Sequence, residues 1–133
     1  MSRKLPPGNP WTEFEGRSYE IIDLGREAVF YIPINKLRGN RGIRIRQDLH
    51  LFLMSQFGAY STSPFKGLAT YGYWTDPSKS VVYDESMIFR VAFVGKEKIP
   101  TLFERIAQLA TEIEEDCIYV QAGQYSGLVR PKR

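Results

Sequence analysis

The chain has 133 residues, 43% hydrophobic and 25% charged, with a formal net charge of +3 and a sequence pI near 9.0, which is typical of one globular domain and only mildly basic. Its single cysteine, Cys117, and single histidine, His50, exclude an intrachain disulfide and a zinc site built from Cys and His ligands. Ser-His-Asp or Cys-His catalysis would depend on His50 alone.

The N-terminal segment is predicted to be an arm. Residues 1–16 are rich in proline, glycine and charge, which argues against a helix or a central strand. We expect a flexible arm, docked through Trp11 and Phe14, followed by a single domain over residues 17–133. Residues 19–24 are compatible with a short added strand.

A buried strand and a helix are predicted next. Residues 28–34 (AVFYIPI) form a dense apolar and β-branched run, typical of a buried strand. Apolar residues then recur at helical spacing over residues 45–57, and Gly58 is a natural helix stop. Between the two lies a predicted basic loop, which contains Lys36, Arg38, Gly39, Arg41, Gly42, Arg44 and Arg46.

The middle of the chain predicts a β-hairpin. Residues 59–62 and 68–74 are strand-like and are interrupted by a proline and a glycine, which indicates a bulge or kink. Residues 76–79 (DPSK) predict a turn. The long strand expected over residues 81–94 would complete the hairpin.

The C-terminal part predicts a second helix and a last strand. Pro100 suits a first helical turn, and a regular apolar stripe follows it. The stripe consists of Leu102, Phe103, Ile106, Leu109, Ala110 and Ile113. Acidic residues lie at the C-terminal end of this helix, where negative charge is unfavourable because of the helix dipole. The sequence offers no reason for this cluster. The acidic residues are Glu112, Glu114, Glu115 and Asp116. Residues 117–120 predict the last strand, and residues 127–129 a possible extension.

Together these elements predict an α+β domain with the ferredoxin-like order β-α-β-β-α-β, a sandwich in which both helices cover one face of the sheet. A small open sheet leaves its other face uncovered. We therefore expect self-association through that face.

Glu85 is the residue most indicative of a site. Strand alternation places it on the same face as Met87 and Phe89, and a carboxylate on an apolar face needs a partner or a position near the rim. Two interpretations stay open: either Glu85 lines a pocket with aromatic neighbours, or it faces away from the core because the strand leaves the core or a bulge turns it outward.

Other candidate residues surround this position in the predicted hairpin or follow the last strand. Aromatic side chains bind cations and stack on adenine, although strands favour them in any case. The aromatic candidates are Tyr60, Tyr71, Tyr73, Trp74 and Tyr83. Gln121, Gln124 and Ser126 would either contact a ligand or cap the sheet. The arginines of the basic loop would either bind phosphate or form a solvated face. The sequence contains no phosphate-loop motif that would accompany phosphate binding. His50 is interpreted as structural.

Several short motifs resemble those of a known family. Residues 114–120 (EEDCIYV) are followed by residues 127–129 (GLV), and upstream lie residues 72–74 (GYW) and 84–85 (DE). In type and spacing these resemble the bacteriophage S-adenosylmethionine lyases, formerly called hydrolases. The resemblance covers roughly residues 50–129.

The resemblance implies a PII-like homotrimer with its sites between subunits, which splits S-adenosylmethionine (SAM) into methylthioadenosine and homoserine lactone without a cofactor. By position, Glu85 would be the key acid, holding the ammonium group of the substrate or tuning the field near the sulfonium. Tyr71 and Tyr73 would line the adenosyl or sulfonium part, with Tyr60 and Trp74 as further substrate-binding candidates. The family's glutamine near the last strand would correspond to Gln121 or Gln124.

Three alternatives stay open. The first is a non-enzymatic, PII-like nucleotide-binding protein, with the arginines on phosphates and Glu85 as a hindrance. The second is a domain that only mediates protein contacts. The third, nucleic-acid binding, ranks last because the basic residues are confined to one loop.

The chain lacks a run of roughly 20 apolar residues and an apolar segment after its N-terminal charges, so we expect a cytoplasmic protein that does not contact membranes.

Overall fold

The computed structural model describes residues 8–14, 16–63, 70–75, 78–79 and 81–132, with residues 70–75 and 81–84 described through their backbone. The strands and helices are β1 (Arg26–Pro33), α1 (Gly39–Phe57), β2 (Ser61–Thr62), β3 (Thr70–Thr75), β4 (Val81–Phe93), α2 (Ile99–Glu112), β5 (Ile118–Ala122) and β6 (Tyr125–Val129). Short 3-10 turns span Thr12–Phe14 and Ile34–Leu37.

Within the described residues, six strands form one antiparallel sheet in the order β2-β4-β1-β5-β6, and β3 also pairs with β4. The predicted α+β element order is therefore present, with its second strand in two pieces. The bulge predicted between those pieces falls on residues 64–69, outside the described residues, as does the first half of the turn predicted over residues 76–79. The C-terminal segment does not extend β5 but returns beside it as β6.

The core lies between one face of the sheet and the two helices. Alternate residues of the strands point into it, and Phe30 of β1 stacks on Phe89 of β4 with ring centroids 5.1 Å apart. The predicted stripe of α2 is buried there, as are three residues of α1. The α1 residues are Ile45, Leu49 and Leu53. Both helices therefore cover the same face, as predicted.

The basic loop predicted before α1 is wrong in its second half, because the helix begins at Gly39 rather than near residue 45. Gly42 is buried on the first turn, and a Cβ atom there would overlap the backbone of Leu37. The glycine thus permits close packing of the helix on the preceding turn and does not interrupt the helix. Arg41, Arg44 and Arg46 are helical residues.

Replacing Gly42 with alanine should destabilise the fold by about 1–3 kcal/mol, because the Leu37 backbone must shift to admit the methyl group. In an ordinary helical position the same change stabilises by up to about 1 kcal/mol. Urea unfolding followed by circular dichroism measures the difference. Gln47→Ala, at an exposed position of α1, is the control and should change stability by less than about 0.5 kcal/mol. A stabilised Gly42→Ala variant would contradict this packing.

The acidic end of α2 meets the basic start of α1. Arg41 donates a hydrogen bond to the main-chain carbonyl of Glu112, and Arg105 Nη1 lies 3.2 Å from the Glu112 carboxylate. Lys36 and Glu115 form a longer pair of 3.9 Å. The arginine side chain satisfies a carbonyl at a helix C-terminus, which is the end of the dipole that favours positive charge. Any residue offers such a carbonyl, so this contact does not select acidic side chains; the carboxylates of Glu112 and Glu115 are instead paired with Arg105 and Lys36.

The N-terminal arm is tied to the domain by Asp23. Its carboxylate accepts hydrogen bonds from Asn9 Nδ2 at 2.9 Å, from the Trp11 indole at 3.2 Å and from the Gly25 amide at 2.9 Å. The strand suggested for residues 19–24 is wrong, because the chain joins the sheet only at Arg26. Gly25 precedes that strand with φ +79°, and a Cβ atom there would overlap the carbonyl of Phe93.

These three donors hold the pKa of Asp23 below its usual 3.8, with the Gly25 amide as the largest cause. A lowered pKa in the docked arm means that the contact is favoured above pH 3.8 and is lost as the pH falls through the lowered value. In a Trp74→Phe background, Trp11 fluorescence should therefore change in a step below pH 3.8. Asp23→Asn should remove that step. An identical step in both proteins would contradict the assignment.

Candidate functional site

Glu85 lies where β4 runs past the end of its neighbour β1. The last residue pair between these strands is Pro33 with Ser86, so β4 continues from Glu85 back to Val81 without β1 beside it. Ser86 and Met87 are buried at 6% exposure each, whereas Glu85 is exposed. Of the two interpretations open from the sequence, the structure of one copy supports the second: the strand leaves the core at Glu85.

The aromatic candidates of the hairpin are the cross-strand neighbours of this segment. Tyr71 is the register partner of Glu85, and Tyr73 is the partner of Tyr83. Trp74 pairs with Val82. Because directly opposed residues of an antiparallel pair have their Cα atoms only about 5 Å apart, the backbone brings Tyr71 to Glu85. The side chains of all four aromatic residues, Tyr71, Tyr73, Trp74 and Tyr83, lie outside the described part of the structure.

Tyr60 is not part of this group. Its ring packs against the core beside Phe89, with ring centroids 6.4 Å apart, and its hydroxyl lies 2.7 Å from His50 Nδ1. Burial raises the pKa of Tyr60 above its ordinary 10.0. The half-buried Tyr60 and the exposed His50 thus form a polar pair next to β2, which agrees with a structural role for the histidine.

Gln121 and Gln124 are far from Glu85 in the same copy. Gln121 of β5 lies in one register row with Val29 of β1 and Arg90 of β4. Arg90 is five residues from Glu85 along β4, which corresponds to about 16 Å, and Gln121 is two strands further, about 10 Å across. Gln124 lies in the turn between β5 and β6, at the opposite end of the sheet.

The arginines of α1 are at the same end of the molecule as Glu85, because α1 follows the end of β1. Arg41 is engaged at the end of α2, which is not the arrangement of a side chain held open for phosphate. Arg38 and Arg44 are exposed. The nucleotide-binding alternative therefore loses one of its proposed ligands.

In the described ranges, no group of three or more His, Cys, Asp or Glu side chains is arranged to hold a metal ion. The same part of the chain contains no helix that is both long and apolar enough to cross a bilayer.

A cleft of about 930 Å³ lies at the end of the sheet opposite Glu85, and the sequence did not predict it. The residues that line it include Arg26 at the start of β1, Lys96 in the loop before α2, Phe103 of α2 and the β5-β6 hairpin. Arg26 and Lys96 come together only because Arg26 pairs with Phe93 at the end of β4. No local sequence signal joins residues that are this far apart in the chain.

Two solved structures are similar to this fold. The first is a phage SAM lyase in complex with S-methyl-5'-thioadenosine, with a TM-score of 0.57 and 12% identity, covering 87% of this chain and 97% of that one. The second is a phage SAM lyase in the apo state, with a TM-score of 0.50 and 13% identity, covering 86% and 97%. No protein-family model and no curated protein matches the chain.

The structural comparison confirms the resemblance to the phage SAM lyases that the short motifs indicated. Because the sequence identity is low, the likeness is one of fold. It extends over nearly the whole length of the solved enzymes, so it includes the N-terminal half of this domain, where the motifs gave no match.

Proposed function

We propose that this protein is a lyase that cleaves SAM into methylthioadenosine and homoserine lactone. The observation that carries the proposal is the likeness of fold over 97% of a phage SAM lyase that was solved with S-methyl-5'-thioadenosine, one of the two products. The exposed carboxylate of Glu85, at the position that matches the family's key acid, supplies a group for this chemistry.

The reaction needs no water and no cofactor. An oxygen of the substrate's own carboxylate attacks the γ-carbon, a C–O bond forms as the C–S bond breaks, and the bonding pair remains on sulfur. The cationic sulfonium and the anionic carboxylate become a neutral thioether and a neutral five-membered lactone, and the ammonium group is unchanged. Because charge disappears, a site that displaces water and folds the chain for attack accelerates the reaction.

Glu85 is proposed to hold the substrate's ammonium group. A carboxylate there attracts the cationic substrate and fixes the α-carbon, so that the substrate's carboxylate is free to turn toward the γ-carbon. Tyr71, Tyr73 and Trp74 are the proposed contacts of the adenosyl and sulfonium parts, since aromatic faces attract cations and stack on adenine.

We further propose that the complete site forms between copies of the chain in a PII-like trimer. Glu85 and Gln121 are about 19 Å apart by strand geometry and lie on opposite faces of the sheet, so one copy does not bring both to one substrate. The face opposite the helices also carries exposed Tyr119 and Leu128, which suit a contact between copies.

Subunit complementation tests this shared site. Glu85→Gln and Gln121→Ala should each be inactive, with Gln124, which lies in the β5-β6 turn, left native. When they are mixed and allowed to exchange subunits, about one quarter of the sites receive both native groups, and about that fraction of activity should return. No recovery between two variants that demonstrably exchange subunits would refute a shared site.

The activity itself is tested by incubating the purified protein with SAM and separating the products by chromatography. Methylthioadenosine should accumulate in proportion to protein concentration and time. SAM that survives at high protein concentration, at the rate seen in buffer, would refute the proposed function.

A further inference from the structure

The cleft opposite Glu85 has the dimensions of a ligand site. Its volume of about 930 Å³ lies within the range usual for small-molecule sites, about 300–1,000 Å³. Its wall is largely apolar and comes from four separate parts of the chain: the start of β1 with the residues before it, the end of β4 with the loop after it, the start of α2, and the β5-β6 hairpin. Phe93, Ile99, Phe103, Val120 and Val129 are among the lining residues.

The charged residues that line the cleft differ in whether they already have a partner. Asp23 is the lining carboxylate, and its oxygens already accept three hydrogen bonds, from Asn9, Trp11 and Gly25. Arg26 and Lys96 are exposed, and within the described residues neither has an ion-pair partner inside 4.0 Å. Two exposed cations without such partners in the lining of a largely apolar cleft complement an anion that has an apolar body.

We propose that this cleft binds a small organic anion, a carboxylate or sulfonate on an apolar body, at a site separate from that of the lyase reaction. The apolar body would lie against Phe103 and Ile99, and the anionic group would lie between Arg26 and Lys96. SAM carries a net positive charge, so the same two cations disfavour it there. The exposed lining residues Val94 and Tyr125 add apolar surface for the ligand.

The test uses the full chain and the fluorescent probe 8-anilinonaphthalene-1-sulfonate, which combines an apolar body with a sulfonate. We expect saturable binding that octanoate displaces and octylammonium, with the same chain and the opposite charge, does not. Arg26→Gln/Lys96→Gln should weaken probe binding about fivefold or more. The matched control, Arg17→Gln/Lys132→Gln, removes two other exposed cations and should leave it unchanged.

Amide chemical shifts show independently where the probe binds on the protein. Gly25, Gly95 and Gly127 line the cleft, so their resonances should move with the probe, while that of Gly39 at the start of α1 should not. Absence of saturable binding, equal weakening in the control pair, or displacement by octylammonium would overturn the proposal. Displacement by methylthioadenosine would also overturn it, because the cleft would then be part of the substrate site. None of these results depends on SAM cleavage, so the two proposals fail separately.

Discussion

Replacing Glu85 with glutamine is expected to lower kcat/KM for SAM cleavage by about 100-fold or more. The amide keeps the size of the side chain but loses the charge that would pair with the substrate's ammonium group. Because that pairing also orients the carboxylate for attack, kcat should fall together with the affinity. Initial rates of methylthioadenosine formation over a range of SAM concentrations separate the two effects.

Glu104→Gln is the matched control for this variant. Glu104 is an exposed glutamate of α2, so the substitution makes the same change in net charge away from the hairpin. Its kcat/KM should stay within about twofold of the wild-type value. If Glu85→Gln retains wild-type kinetics in a protein that does cleave SAM, Glu85 is not the acid of the site. Equal losses in both variants would instead indicate a general effect of charge on substrate attraction.

The largest effect on stability is expected at Phe30. This side chain is fully buried at 0% exposure in the middle of β1 and stacks on Phe89 at an interplanar angle of 8°. Truncation to alanine removes the ring from the layer between the sheet and the helices and leaves a cavity. Phe30→Ala should cost about 3–5 kcal/mol in free energy of unfolding.

Urea unfolding of Phe30→Ala and Phe14→Ala makes the comparison. Phe14 is 54% exposed in the arm, so its truncation should cost less than about 0.5 kcal/mol. Comparable losses at the two positions would mean that the arm is part of the cooperative core, or that Phe30 is not at its centre.

The sequence predicted the secondary structure best where the apolar pattern was long. The period of α2 and the alternation of β4 gave both elements within a few residues, because their buried faces are continuous. The start of α1 was missed because two glycines suggested a loop. Gly42 is instead required by contact with Leu37, and Gly39 has φ +71° at the first helical position. Tertiary contacts of this kind leave no periodic signal.

The candidate site was only partly predictable for the same reason. Alternation identified Glu85 as an unusual residue on an apolar face, but the point at which β1 stops beside it depends on strand register, which becomes visible in the paired sheet. The register also separates Gln121 from Glu85. The motifs grouped them because motifs indicate which residue types a family shares and contain no distances between those residues.

The most direct test of the proposed reaction is SAM cleavage in water enriched in ¹⁸O. If the substrate's carboxylate attacks the γ-carbon, methylthioadenosine forms together with unlabelled homoserine lactone. Homoserine that arises later by opening of the lactone then carries ¹⁸O in its carboxyl group, because water attacks the acyl carbon. We expect that pattern. Homoserine labelled at its γ-hydroxyl would show that water attacks the γ-carbon, and SAM that remains uncleaved would show that the chain is not a lyase; either result would contradict this account.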